Sequence, residues 1–117
     1  MRLTSETLDN GIVHVALEGR LDIAGAHDIE TQFVAITATR KAAVMVDLSQ
    51  VEFIASIGIR VLLSSARAQA GRGGKLVLVS PVPAVREVLV TAGITDLIPV
   101  LDDGNAAEQA LQAAAAG

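Results

Sequence analysis

A chain of 117 residues, 51% hydrophobic and 19% charged, is able to fold around one core and leaves no room for a second. A net charge of −4 and only two aromatics, Phe33 and Phe53, argue against a general nucleic-acid surface, which needs clustered cations on phosphates and aromatic faces for stacking. The absence of cysteine excludes disulfides, thiolate zinc and a cysteine nucleophile, and two histidines cannot build a three-histidine metal site. No uncharged apolar run approaches the roughly 18 residues of a membrane helix, and Met1–Glu6 lacks the apolar core of a signal peptide. One cytoplasmic domain over residues 1–117, with no cofactor and no metal, is therefore expected.

Leu3–Leu8 and Ile12–Glu18 read as strands, and Asp9-Asn10-Gly11 between them is a hairpin signal. In the second strand Val13, Val15 and Leu17 alternate with His14 and Ala16. Ala26, Ile29, Phe33 and Ile36 share one face of a first helix. Val44–Leu48 is a short apolar run of the kind found in buried parallel strands. A second helix opens near Ser56, carries the stripe Ile59, Leu62, Leu63, Ala66 and Ala70, and ends at Gly71-Arg72-Gly73-Gly74. Leu76–Val79 is another buried run. Pro83 begins and Gly93 ends a third helix with Val85, Val88, Leu89 and Ala92 on its apolar face. Leu97–Leu101 is the last strand. Ala107, Ala110, Leu111 and Ala114 mark a fourth helix over residues 105–116, with Asn105 and Glu108 as its capping pair and with fraying through Ala113–Ala116. This alternation predicts an α/β fold: a mostly parallel sheet of about five strands with an N-terminal hairpin at one edge, about four helices, and right-handed crossovers.

The stretch from Val46 to Arg60 carries the most chemical information. A strand ends near Leu48, a short connection follows, and Ser56 stands where the second helix begins. Two readings of Ser56 are open. Its hydroxyl caps the helix by accepting a bond from a free backbone N–H. Alternatively it carries a phosphate, which free N–H groups and the positive end of the helix dipole both favour. Gly58 removes a side chain where something approaches the backbone closely, which tight packing inside the chain also explains.

These residues, with others along the chain, resemble the STAS-domain family of bacterial anti-sigma-factor antagonists. Gly19-Arg20-Leu21-Asp22 looks like the family's segment before the first helix, and Asp47 to Ile54 like its approach to the phosphorylation loop. Gly73-Gly74-Lys75-Leu76, Val85 to Leu89 and Gly93-Ile94 fit the later pattern. The resemblance covers nearly the whole chain. It implies a non-enzymatic protein that binds an anti-sigma factor, itself a serine kinase, when unphosphorylated. Phosphorylation at Ser56 would end the binding, and a serine phosphatase would restore it. Ala55 stands where phosphorylated members often have Asp, and Ile57 where Ser or Thr is common; both changes make the loop more apolar.

The partner surface implied in this way comprises Asp22, Ile23, Ala55, Ile57, Gly58, Arg60 and Val61, with Ile57, Val61, Ser64 or Ser65, and Ala68 off the core stripe of the second helix. Each has a plainer reading. Ile57 packs into the core, Asp22 is an N-terminal acid for the first helix, and Arg60 is a solvated surface charge that otherwise pairs with phosphate or a partner carboxylate. The alternative function is a STAS scaffold or transporter-accessory module that is never phosphorylated. Direct nucleic-acid binding and membrane insertion are not expected, and the oligomeric state is monomer or weak dimer.

Three further motifs fail on inspection. Ile54-Ala55-Ser56-Ile57-Gly58 lacks the first glycine of a nucleophile elbow, and no histidine follows His27. Asp47 lacks the acidic pair and lysine of a phosphoacceptor receiver domain, so it is read as structural. Gly73-Gly74-Lys75 is followed by Leu76 and a strand, not by the Ser/Thr and helix of a phosphate loop. His14 and His27 have no metal-ligand companion at useful spacing.

Overall fold

The computed structural model describes residues 1–116, with side chains through residue 114. Five strands form one sheet in sequential order: β1 (Arg2–Thr7), β2 (Val13–Leu21), β3 (Ala43–Ile54), β4 (Lys75–Val79) and β5 (Val100–Leu101). The β1–β2 pair is antiparallel and every later pair is parallel. Helices α1 (Ile23–Thr37), α2 (Ser56–Arg72) and α3 (Pro83–Thr91) are the crossovers, and α4 (Gly104–Ala116) follows the last strand. Successive parallel neighbours joined by right-handed crossovers place α1, α2 and α3 on one face of the sheet.

The period of two in the strands divides the core accordingly. Val15, Leu17, Val44, Val46, Leu48, Leu76 and Leu78 point to the face covered by α1 to α3, where Phe33, Leu62, Val85 and Leu89 complete the larger cluster. Met45, Val77 and Val79 point the other way and meet Ala107 and Leu111 of α4 in a smaller one. Fold class and element order agree with the sequence reading.

Three local expectations need correction. The strand predicted to stop near Leu48 runs on to Ile54. Beyond Asp47 it leaves β4 but keeps pairing with β2, through Gln50 opposite Glu18 and Ile54 opposite Leu21. Register shifts after Ala16 and Gly19 absorb the change, with Gly19 at φ +115°, a conformation glycine adopts without strain. The polar residues Ser49, Gln50 and Glu52 obscured this strand, because only Val51 and Ile54 of the extension are buried. The last strand shortens to Val100–Leu101, since Ile94–Asp96 forms a 3-10 turn and Leu97 stays exposed. The cap of α4 comes from Asp103, whose Oδ1 accepts from the Ala106 N–H at 2.8 Å, while Glu108 accepts from Asn10 instead. The helix continues through Ala113 and Ala114; the side chains beyond them, and any test of fraying there, lie outside the described residues.

The far end of α2 is pinned by a polar contact that its apolar stripe did not announce. Gln69 is fully buried; its Nε2 donates to the carbonyls of Thr37 at 2.6 Å and Arg40 at 2.8 Å, and its Oε1 accepts from the Ala42 N–H at 2.9 Å. Gln69→Leu would leave the Thr37 carbonyl unpaired in a buried site and take the partner from the part-buried Arg40 and Ala42 groups. A loss of about 2 kcal/mol is expected, read as a lower urea midpoint at unchanged m-value.

Candidate functional site

The extension of β2 and β3 brings two helix starts together. Leu21 and Ile54 end side by side, and the Ala55 N–H donates to the Leu21 carbonyl at 3.0 Å. Helices α1 and α2 therefore leave the sheet at the carboxyl ends of neighbouring strands, where open α/β sheets place their binding crevices.

Asp22 is the N-cap of α1. Its Oδ1 accepts from the Gly25 N–H at 2.8 Å, and Arg20 Nε lies 3.6 Å from its other oxygen. The Gly25 bond foremost, with help from Arg20 and against a desolvation cost, holds the Asp22 carboxyl below its ordinary value of 3.8. A depressed folded-state pKa contributes stability above the unfolded value and loses it as pH falls through the lowered one. Asp22→Ala should therefore melt below the wild type at neutral pH, with the gap closing on acidification below the ordinary carboxylate range; thermal melts across a pH series read this directly.

At α2 the cap is Ala55, with extended backbone and no side-chain bond. Its carbonyl accepts from the Ile59 N–H at 3.1 Å, and its own N–H is tied to β2. Ser56 is thus the first helical residue, one place inside the position a capping serine occupies. It is exposed, and its hydroxyl is not used to close the helix.

Ser56 sits on a ridge between two clefts. One, of about 600 Å³, lies between α1 and α2, lined by the apolar Ile23, Ala26, Ala55 and Ile57 and by His27, Glu30 and Arg60. The other, of about 490 Å³, lies between α2 and α3 against Ile54, Ile59, Val88 and Ala92, with Glu87 and Thr91 at its edge. Ile23 is 68% exposed, a large apolar side chain given to solvent at the mouth of the first cleft.

Of the expected contact residues, Ile23, Ala55, Ile57 and Arg60 line that first cleft with Ser56. Ile57 combines its two readings, since it is half-buried, packs against the core and still faces the cleft. Asp22 stands at the edge as the cap of α1. Gly58 and Val61 are corrections. Gly58 is buried, and the group approaching its backbone is Leu21 of the same chain: a Cβ there would lie 2.5 Å from Leu21 Cγ. Val61 is 4% exposed and Ser65 1%, because α1 packs along the side of α2 that the single-stripe reading left to solvent.

Two further polar residues of the first cleft were not among those expected. His27 and Glu30 line the cleft from α1, spaced with Ile23 at four and three residues along one helical face, a signal that was available. Outside both clefts, Phe53 on the strand extension is 38% exposed and lies under the Arg20 guanidinium, 4.4 Å from its ring centroid. Away from the clefts, His14 lies 3.7 Å from both Glu6 and Asp47 on the sheet, and Asp47 Oδ1 accepts from the Ser49 N–H at 2.8 Å. Among the described residues no cluster of three metal-ligating side chains occurs, and no helix is long and apolar enough to cross a membrane.

Known proteins resemble this chain both in sequence and in fold. A family model described as "Mlab, STAS domain" matches residues 5–99. The Bordetella bronchiseptica protein BtrV, named as an anti-sigma factor antagonist, is 32% identical over 97% of both chains. An anti-sigma factor antagonist from Mycobacterium paratuberculosis superposes with a TM-score of 0.85 at 26% identity, over 95% of this chain and 93% of that one. The Bacillus protein SpoIIAA shares the fold in its unphosphorylated form, at TM-score 0.72 and 19% identity over 93% of this chain and 96% of that one. Its phosphorylated form superposes at 0.66 and 18%, over 93% and 99%.

Proposed function

Because the chain belongs to the STAS-domain family, we propose that it is an anti-sigma-factor antagonist that works by partner switching. Unphosphorylated, it docks an anti-sigma factor with serine-kinase activity on the cleft between α1 and α2. The kinase transfers the γ-phosphoryl group of its nucleoside triphosphate to Ser56 Oγ; the hydroxyl proton passes to a kinase base and the nucleoside diphosphate leaves. The phosphorylated protein is released, and a serine phosphatase returns the hydroxyl by hydrolysis.

The observation that supports this reading best is the position of Ser56. It is exposed at the first residue of α2, free of capping duty, beside an apolar cleft edged with charge. An apolar centre with a charged rim suits a partner surface. Ile23, Ala55 and Ile57 supply the centre and Arg60 the rim, while Asp22 contributes chiefly by fixing the start of α1. The naming of BtrV and of the M. paratuberculosis protein as anti-sigma factor antagonists supports the choice of partner.

Phosphopeptide mapping of the protein from its own cells tests the switch. Trypsin releases residues 42–60, which hold both Ser49 and Ser56, so fragment ions must separate the two. Phosphate on Ser56 that changes with growth conditions is expected. Its absence under every condition, with partner binding insensitive to Ser56→Asp, would leave a constitutive scaffold or transporter-accessory module instead.

A further inference from the structure

The two clefts beside Ser56 differ in charge, and this difference gives a phosphate on Ser56 a direction. The α2–α3 cleft has Glu87 as its only charged lining residue. The α1–α2 cleft sets Arg60 against Glu30, with the imidazole of His27 as a further polar group on its wall; Asp22 at its edge is already beside Arg20. Neither Arg60 nor His27 is in an ion pair among the described residues.

Arg60 stands four residues after Ser56 on the same helix. Side chains on an α-helix lean toward its N-terminus, so Arg60 is inclined back over the turn that bears Ser56. An acidic group followed by a base four residues later is also the favourable order for a helical ion pair. A phosphoserine carries about −1.5 to −2 charges near neutral pH and three acceptor oxygens, more than enough to hold a guanidinium that is otherwise uncommitted.

Resting on the switch proposed above, we infer that the phosphate on Ser56 folds into the chain's own α1–α2 cleft, where Arg60 clamps it and His27 faces it, so that the phosphorylated protein occludes its own docking groove. Release then has two parts. The phosphate covers the apolar lining of Ile23, Ala26 and Ile57, and it withdraws Arg60 from the partner. Repulsion from Glu87 keeps it out of the α2–α3 cleft, and Glu30 limits the clamp without cancelling it.

The test uses the full chain with phosphoserine encoded at position 56, so that neither kinase nor partner is needed. Methyl NMR compares it with the unmodified protein. The largest shifts are expected at Ile23, Ala26 and Ile57, with Val88 and Ala92 little moved. A 31P titration should place the phosphoserine midpoint roughly half a unit to one unit below that of a phosphoserine peptide, as a nearby cation favours the dianion. Arg60→Gln should return the midpoint and at least halve the methyl shifts, whereas Glu30→Gln should lower the midpoint further. Arg60 is exposed, and an unchanged melting temperature verifies that the variant is folded. Largest shifts at Val88 and Ala92, or a midpoint indifferent to Arg60→Gln, would overturn the clamp and leave the switch standing. Undiminished partner binding by the phosphorylated protein would instead remove the switch, whatever the titration gives.

Discussion

Protein carrying phosphate on Ser56 is expected to bind its anti-sigma partner at least a hundredfold more weakly than the unmodified protein. Ser56 stands on the ridge between the two clefts, so any partner seated on the α1–α2 cleft covers it. Covering a dianion costs its hydration, and a net penalty of about 3 kcal/mol already exceeds a hundredfold in affinity. The chain itself should tolerate the modification, because the start of α2 presents free N–H groups and the positive end of the helix dipole. Calorimetric titration of the partner with both forms reads the affinity, and superimposable far-UV spectra verify the unchanged fold. Two variants sharpen the result. Ser56→Asp adds one charge on a shorter arm and should weaken binding by only about tenfold, or about 1.4 kcal/mol. Ser56→Ala should keep both binding and stability, within about 0.5 kcal/mol, as exposed substitutions away from special features do. A true cap would lose about 1 kcal/mol on the same change, so this variant also tests the placement of the cap at Ala55.

The limits of the sequence reading have physical causes. Apolar periodicity located all nine main elements and the order that makes the sheet, because burial on one face or both writes a period of two, a period of 3.6, or a solid run. It failed where burial is partial. Residues 49–54 pair with β2 through a bulge, but most of their side chains face water, so a strand looked like a loop. Val61 and one of Ser64 and Ser65 fell off the single stripe on α2; Ser64 is exposed, but Val61 and Ser65 are buried on the side of α2 where α1 packs. At the site, the resemblance marked Ser56, Ala55, Ile57 and Arg60, and the structure brings them to one cleft. His27 and Glu30 share a helical face with Ile23 by spacing alone, but only the crossing of α1 and α2 turns that face into the wall of a cleft. Gly58 shows the same limit from the other side: the sequence marks a close approach without saying what approaches, and the answer is Leu21.

The glycines at the two helix starts carry the second large expected effect. Gly25→Ala should destabilise the protein by about 3 kcal/mol, with a fall in melting temperature on the order of 10 °C. Gly25 is buried in the first turn of α1, and a methyl group there would run into the carbonyl oxygen of Arg20. That oxygen belongs to the backbone of β2, so no side-chain rotation relieves the overlap. The start of α1 has to move off the strand end, which strains the bond from the Gly25 N–H to Asp22. Gly58→Ala should act on the same segment with a smaller cost. Its methyl would meet Leu21 Cγ at 2.5 Å and the Leu21 carbonyl at 2.9 Å, and Leu21 is fully buried with no room to swing. Because both substitutions press on Arg20–Leu21, the double variant should lose less than the sum of the two, as coupled neighbours do. Urea melts of the four proteins complete the cycle, and strict additivity would mean that the two helix starts are held independently. The Leu21 carbonyl also accepts the Ala55 N–H that sets the cap of α2. A shift there moves Ser56 and Ile57 relative to Ile23, so the folded fraction of either variant should bind the partner more weakly at temperatures where unfolding is negligible.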